Sequence, residues 1–112
     1  MRKMENQLEQ QVFEVGMRLQ SLPHFKNTLL KILKQAAEIL SKVGQSPSQV
    51  MLDAIHPLRE ALVMPKLLRH QDGEVSLRVA ICISEITRIT APNAPYKDDV
   101  LRDTFQLIIT IF

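Results

Sequence analysis

The chain has 112 residues, which suits one helical domain and is too few for two independent ones. Its apolar fraction of 46% and charged fraction of 23% exclude a disordered or membrane-spanning chain, and its net charge of +2 does not by itself indicate a nucleic-acid binder. No apolar signal segment follows Arg2 and Lys3, so we expect an intracellular protein. The single cysteine, Cys82, is expected to be a buried apolar thiol.

Apolar residues recur at steps of three and four along the first part of the chain, which predicts amphipathic helices. The first helix is expected over about 3–20. The second is expected to reach about residue 43, with Ser21 as its N-cap. Gly16 weakens the first helix by about 1 kcal/mol relative to alanine, and it is compatible with the close approach of a neighbouring element. The reason for this glycine is not visible in the sequence.

Prolines and small polar residues delimit the third predicted helix. Ser46 and Pro47 predict its capped start, with Gln49 reaching back to complete a capping box. Pro57 removes a backbone donor inside this helix, so we expect a kink or a split there. Pro65 is expected to end the helix before one further short turn.

The fourth predicted helix, from Gly73 to about Thr90, is the most apolar, and Asp72 is its expected N-cap. Its β-branched residues leave a strand as a minor alternative. A fifth helix is expected after Lys97, and the chain ends in the apolar run LIITIF. Five helices with wide apolar faces and an apolar end predict an all-α fold, an α-solenoid with an open C-terminal end. A closed helical bundle is the alternative.

No residue pattern indicates catalysis or a bound cofactor. His24, His56 and His70 are far apart in the sequence, and the acidic residues after Lys97 are explained by helix capping. The chain has no glycine-rich phosphate loop, nucleophile elbow or cysteine pair. We therefore predict a protein that is not an enzyme, with no catalytic residue, no metal ligands and no cofactor.

Basic residues dominate the second helix. Between residues 18 and 42 a single acidic residue, Glu38, faces five basic ones, which are Arg18, Lys26, Lys31, Lys34 and Lys42. A solvated helix face is one interpretation. The other is a DNA- or phosphate-binding surface formed by Lys26, Lys31, Lys34 and Lys42, since sequence-independent contact needs several aligned lysines.

The six residues after the fourth helix form a distinctive loop. They are Ala91, Pro92, Asn93, Ala94, Pro95 and Tyr96. The prolines stiffen the loop, the alanines offer little bulk, and Tyr96 combines an apolar ring with a polar tip. Such a loop either stops the helix and anchors the turn, or receives a peptide side chain.

The start of the fourth helix carries a repeat signature. Asp72, Gly73, Glu74 and Val75, followed by Ala80 and Ile86, resemble the second-helix pattern of a HEAT repeat. Ser76 replaces the arginine that usually follows the valine. This resemblance implies HEAT-like repeats, and we interpret residues 1–112 as a single N-terminal HEAT-like segment of a longer solenoid.

The segment LLRHQDGEVSLRVAICISEITRITAPNAPYKDDVLRDTFQLI closely resembles the N-terminal region of the Pds family, cohesin-associated regulators of sister chromatid cohesion named for precocious dissociation of sisters. The segment ISEITRITAP is most similar to the plant members of the family. In that family an Ala-Pro-acid-Ala-Pro-Tyr loop follows the corresponding helix. Asn93 departs from this pattern, because it keeps hydrogen bonding but lacks the usual acidic charge.

The resemblance implies a nuclear, non-enzymatic scaffold that regulates cohesin. It implies that the loop from Ala91 to Tyr96 receives short tyrosine-containing motifs of cohesin release and protection factors. The kleisin subunit of cohesin would be bound mainly by parts of the family that this chain lacks, and contact with DNA would be indirect. Two alternatives stay open: the basic helix binds DNA or phosphate, or the apolar end makes the chain a self-assembly module.

Overall fold

The computed structural model describes residues 2–21, 23, 25–44, 47–68, 70–91, 102 and 106. Its helices are α1 (Arg2–Gln20), α2 (Lys26–Ser41), α3 (Gln49–Leu62), α4 (Pro65–Leu68) and α5 (Gly73–Thr90). No strand occurs in these ranges, which confirms the predicted all-α class. The short α4 is the single turn expected after Pro65. The helix predicted after Lys97 lies mostly outside the described residues. Two of its positions, Arg102 and Gln106, are described, and both are helical.

The helices form two layers, with α1 on α3 and α2 on α5. In the first layer the second half of α1 meets the second half of α3, because Gly16 faces Leu58 and the Gln20 amide donates to the carbonyl oxygen of Pro57 at 3.0 Å. Leu8 near the start of α1 also shares a surface hollow with Met51 near the start of α3, so the two helices run in the same direction. Leu8 near the start of α1 shares a surface hollow with Val43 after α2, so α1 and α2 are antiparallel.

In the second layer α2 and α5 also run in the same direction. Lys26 at the start of α2 contacts Asp72 just before α5, and Arg88 near the end of α5 contacts the carbonyl oxygen of Leu40 near the end of α2. Antiparallel helix pairs stacked in parallel layers are the arrangement by which helical-repeat proteins bury one unit against the next. The described part of the chain therefore has the packing expected of HEAT-like repeats.

Aliphatic side chains from all five helices form one core. The largest fully buried side chains are Leu19, Leu33, Leu40, Ile55, Leu58, Leu62, Leu67, Ile83, Ile86 and Ile89, together with Val12 and Val75. Most apolar residues at the three-and-four spacing are buried, but Phe25 and Val50, which this spacing places on the apolar stripes of the second and third helices, are 77% and 61% exposed. Burial of the core side chains drives the packing of the layers, because each Å² of apolar surface removed from water contributes about 25 cal/mol to the free energy of folding.

Two helix starts differ from the prediction. Ser21 does not cap α2, because its backbone N–H and hydroxyl both bond back to the carbonyl oxygen of Met17 and so close α1. The N-cap residue of α2 is Phe25, which makes no side-chain capping bond. The third helix is capped by Ser48, whose hydroxyl accepts from the Met51 N–H at 3.2 Å, so the predicted start at Ser46 was two residues early.

Pro57 and Pro65 also act differently from the prediction. α3 continues through Pro57 as one helix, so the predicted split does not occur. The side chain of Gln20 satisfies the Pro57 carbonyl oxygen from the neighbouring helix. α3 stops at Leu62, so Pro65 does not end it. Pro65 occupies the first position of α4, where a backbone N–H would have no partner within the helix, so its absence costs nothing.

Cys82 is fully buried in α5, and its thiol donates to the Leu33 carbonyl oxygen at 3.5 Å. Burial is the main cause that raises its pKa to about 12. At pH 8 the reactive thiolate is then about one part in ten thousand. We expect a maleimide to leave Cys82 unlabelled in the folded chain and to label it fully in urea, as followed by mass spectrometry. Rapid labelling of the folded chain would contradict this burial.

No helix in the described residues is both long and apolar enough to cross a membrane.

Candidate interaction surfaces

The peptide-receiving loop predicted from the sequence begins at Ala91, directly after α5. The Ala91 N–H donates to the carbonyl oxygen of Thr87 at 3.0 Å, and its backbone then becomes extended, with φ −53° and ψ 145°. A residue before proline is held in this region by the proline ring, so Pro92 accounts for the exit direction of the chain. Ala91 is half-buried, and the rest of the loop, from Pro92 to Tyr96, lies outside the described residues.

Arg88 holds the end of α5 from which this loop departs. Its guanidinium donates to the carbonyl oxygens of Leu40 and Val43 at 3.1 and 3.0 Å, and its Nε donates to Glu85 at 2.8 Å. The last carbonyl groups of a helix have no partner within the helix, so Arg88 acts as a C-terminal cap for α2 from a different helix. The first residue of the loop is thereby fixed relative to the end of α2.

The four lysines of the basic helix do not all line the same surface hollow. Three of them lie around a shallow surface hollow of about 340 Å³ between α2 and α5, here called the α2–α5 hollow, and Lys42 does not line it. Its lining residues are Lys26, Asn27, Leu30, Lys31, Lys34 and Glu74. Three of the four lysines share this hollow, and the DNA- or phosphate-binding role of the four stays a prediction.

Lys26 is engaged within the chain. Its ammonium group lies 2.8 Å from an Asp72 carboxylate oxygen and 4.0 Å from Glu74. The hydrogen bond with Asp72 raises the pKa of Lys26, and the same bond lowers the pKa of Asp72. The other oxygen of Asp72 accepts from the N–H groups of Glu74 and Val75, which confirms its predicted role as N-cap of α5.

Within the described residues no group of three or more His, Cys, Asp and Glu side chains is placed to hold a metal ion. His70 accepts from the Asp72 N–H at 3.1 Å through Nδ1, and His56 is 3.0 Å from Arg59. Both histidines thus have local structural partners. His24 lies outside the described residues.

The sequence did not reveal the partners of Arg88 or of Gly16. The carbonyl oxygens that accept from Arg88 lie 48 and 45 residues earlier in the chain. An arginine in the last turn of a helix is a weak signal, since it also suits that helix's own dipole. The close approach of a neighbouring element predicted at Gly16 is confirmed, and the element is α3, at Leu58.

Stacked antiparallel helix pairs define the described part of this chain as an all-α segment of the HEAT-like helical-repeat class. The family model described as "Sister chromatid cohesion protein PDS5 protein" matches residues 27–112. The chain therefore belongs to the PDS5 family of sister chromatid cohesion proteins, which confirms the resemblance seen in the sequence.

Individual relatives agree with the family match. The chain is 50% identical to sister chromatid cohesion protein PDS5 homolog A of Arabidopsis thaliana over 104 residues, which are 93% of this chain and 6% of that protein. It is 44% identical to homolog C of the same plant, over 96% of this chain and 12% of that protein. The PDS5 protein of Saccharomyces cerevisiae is 40% identical over 77% of this chain and 7% of its own length.

These identities confirm the plant-like character of the sequence. The chain spans only a small part of the length of these curated relatives. No solved structure matches it.

Proposed function

We propose that this chain is a non-enzymatic scaffold segment that acts in sister chromatid cohesion in the nucleus. Its loop from Ala91 to Tyr96 would receive short tyrosine-containing peptide motifs of cohesin regulators. The observation that carries the proposal is membership of the PDS5 family, whose relatives are named for sister chromatid cohesion. Binding of the kleisin subunit is proposed to depend mainly on the length of the relatives that this chain does not span.

The architecture around Ala91 supports a peptide-binding role for the loop. Arg88 ties the end of α5 to the end of α2, and Ala91 leaves the helix in an extended conformation. A loop that starts from a fixed point loses less conformational entropy when it binds a peptide than one that starts from a frayed helix end. The two prolines of the loop restrict its backbone further.

A charge inserted into the loop tests this role. In Ala94→Glu a small apolar side chain becomes a long anion, which would block an apolar peptide side chain. We expect the Kd for a fluorescent tyrosine-containing peptide from a cohesin release factor to rise about tenfold or more, since the peptide would have to cover a carboxylate that has no partner. Fluorescence anisotropy titration of the 112-residue chain measures it.

Ser84→Glu is the matched control, because it makes the same change of net charge at an exposed position on α5. The control should bind the peptide as the unchanged chain does. Equal binding by Ala94→Glu and the unchanged chain would remove the loop from the site. Circular dichroism of both variants ensures that a loss of binding is not a loss of fold.

A further inference from the structure

The fold divides the charges of the α2–α5 hollow into two groups. Beside α5, Lys26 is balanced by Asp72 at 2.8 Å and Glu74 at 4.0 Å. On the exposed face of α2, Lys31 and Lys34 have no ion-pair partner among the residues that the structure describes. Two uncompensated ammonium groups therefore remain beside the hollow.

These two groups belong to a short row of hydrogen-bond donors. Asn27, Lys31 and Lys34 are separated by four and three residues, so they lie on one face of α2, and all three are exposed. Seven residues of helix span about 10 Å. The buried Leu30 lines the hollow beside this row, and the hollow has a volume of about 340 Å³.

Acidic residues close the positive stretch at both ends. Glu38 follows Lys34 by one helical turn on the same face of α2, and the pair of Asp72 and Glu74 lies at the other end. Duplex DNA presents a long track of phosphates, and sequence-independent binding to it uses several cationic contacts in a row. A donor row about 10 Å long, whose two positive residues are three positions or about 4.5 Å apart along the helix, instead matches two carboxylates on one peptide segment.

We infer that the α2–α5 hollow binds an acidic segment of a protein partner, whose carboxylates pair with Lys31 and Lys34. The carboxylates of Asp72 and Glu74 hold Lys26 away from the ligand and limit the length of the bound segment. This inference does not rest on the loop proposal, because the hollow adjoins the start of α5 and the loop leaves its end. Each site can therefore fail without the other.

The test compares two doubly substituted chains that carry the same net charge. Lys31→Gln with Lys34→Gln removes both free ammonium groups, and Arg18→Gln with Lys66→Gln removes two exposed cations that do not line the hollow. The probe is a fluorescein-labelled hexaglutamate peptide, with hexaglutamine as its neutral counterpart. We expect the first variant to raise the Kd for hexaglutamate about tenfold, because two charge pairs are lost, while the control changes it less than about twofold.

Three outcomes would overturn the inference. Equal losses in the two variants would mean that only net charge attracts the probe. No measurable preference of the unchanged chain for hexaglutamate over hexaglutamine at low salt would mean that the hollow binds no acidic peptide. Tighter binding of a short duplex DNA, lost in the first variant only, would reassign the hollow to nucleic acid. Circular dichroism checks that both variants remain folded.

Discussion

Gly16→Ala is expected to destabilise the chain, although alanine favours a helix over glycine. A Cβ atom at this position would lie 2.5 Å from the backbone nitrogen of Leu58 and 3.0 Å from its Cα. Backbone atoms of a packed helix cannot move aside as a flexible side chain can, so α1 and α3 would have to separate. Overpacking of this kind costs about 3 kcal/mol, and the gain in helix propensity offsets about 1 kcal/mol of it. We expect a net loss of about 2 kcal/mol.

Urea denaturation followed by circular dichroism measures this loss as a lower midpoint. Gly44→Ala is the matched control, since a Cβ atom there meets nothing within 4 Å and the backbone of Gly44 is not in the left-handed region. That variant should change the free energy of unfolding by less than about 0.5 kcal/mol. An unchanged or higher midpoint for Gly16→Ala would show that α1 and α3 do not pack as closely as described.

The second large effect is expected for Arg88→Met, which keeps an unbranched apolar stem and removes the guanidinium. The carbonyl oxygens of Leu40 and Val43 then lose their bonds from Arg88, at 3.1 and 3.0 Å. Hydrogen bonds from charged groups contribute about 1.5–3 kcal/mol, and the Arg88 side chain is 43% exposed, so water replaces part of what is lost. We expect the free energy of unfolding to fall by about 2 kcal/mol.

Arg18→Met provides the comparison, because Arg18 is an exposed arginine in the last turn of α1. We expect a change of less than about 0.5 kcal/mol for it. Hydrogen exchange adds a local readout, since Arg88→Met should speed exchange at Ala91 and in the last turns of α2 and α5 by more than the common increase that lower stability causes. The same increase at every amide would contradict a capping role for Arg88.

If the loop binds peptide as proposed, Arg88→Met should also weaken that binding without touching the loop itself. The Ala91 N–H still bonds to Thr87, but the end of α5 is no longer tied to α2. A loop that departs from a frayed helix end must be ordered when the peptide binds, which costs affinity. This relation links the energetics of the fold to the proposed function.

Several features of the fold could be predicted from the sequence because they depend on neighbours along the chain. The range from Gly73 to Thr90 was predicted as a helix capped by Asp72, and both are confirmed. Periodic apolar residues and an N-cap act within a few residues, so the linear pattern contains them. The family can also be identified from the residues in and around the loop.

Helix boundaries with competing signals were predicted less well. Ser46, Pro47 and Ser48 offered two possible starts for α3, and the structure uses Ser48. Ser21 could either begin α2 or end α1, and its hydroxyl bonds back to Met17. Serine hydroxyls bond to the backbone on either side of a helix end, so composition alone does not decide between them.

The all-α class, most of each apolar stripe, the Asp72 cap and membership of a family with a recognisable loop follow from residues that are close together in the chain. The neighbour of Gly16, the acceptors of Arg88 and the lysines that share a hollow are defined only by the packing of the helices. Each of these depends on atoms that lie far apart in the chain and meet only when the layers pack. Helical periodicity shows which face a residue occupies, whereas the neighbouring helix decides whether that face is in contact, paired or free.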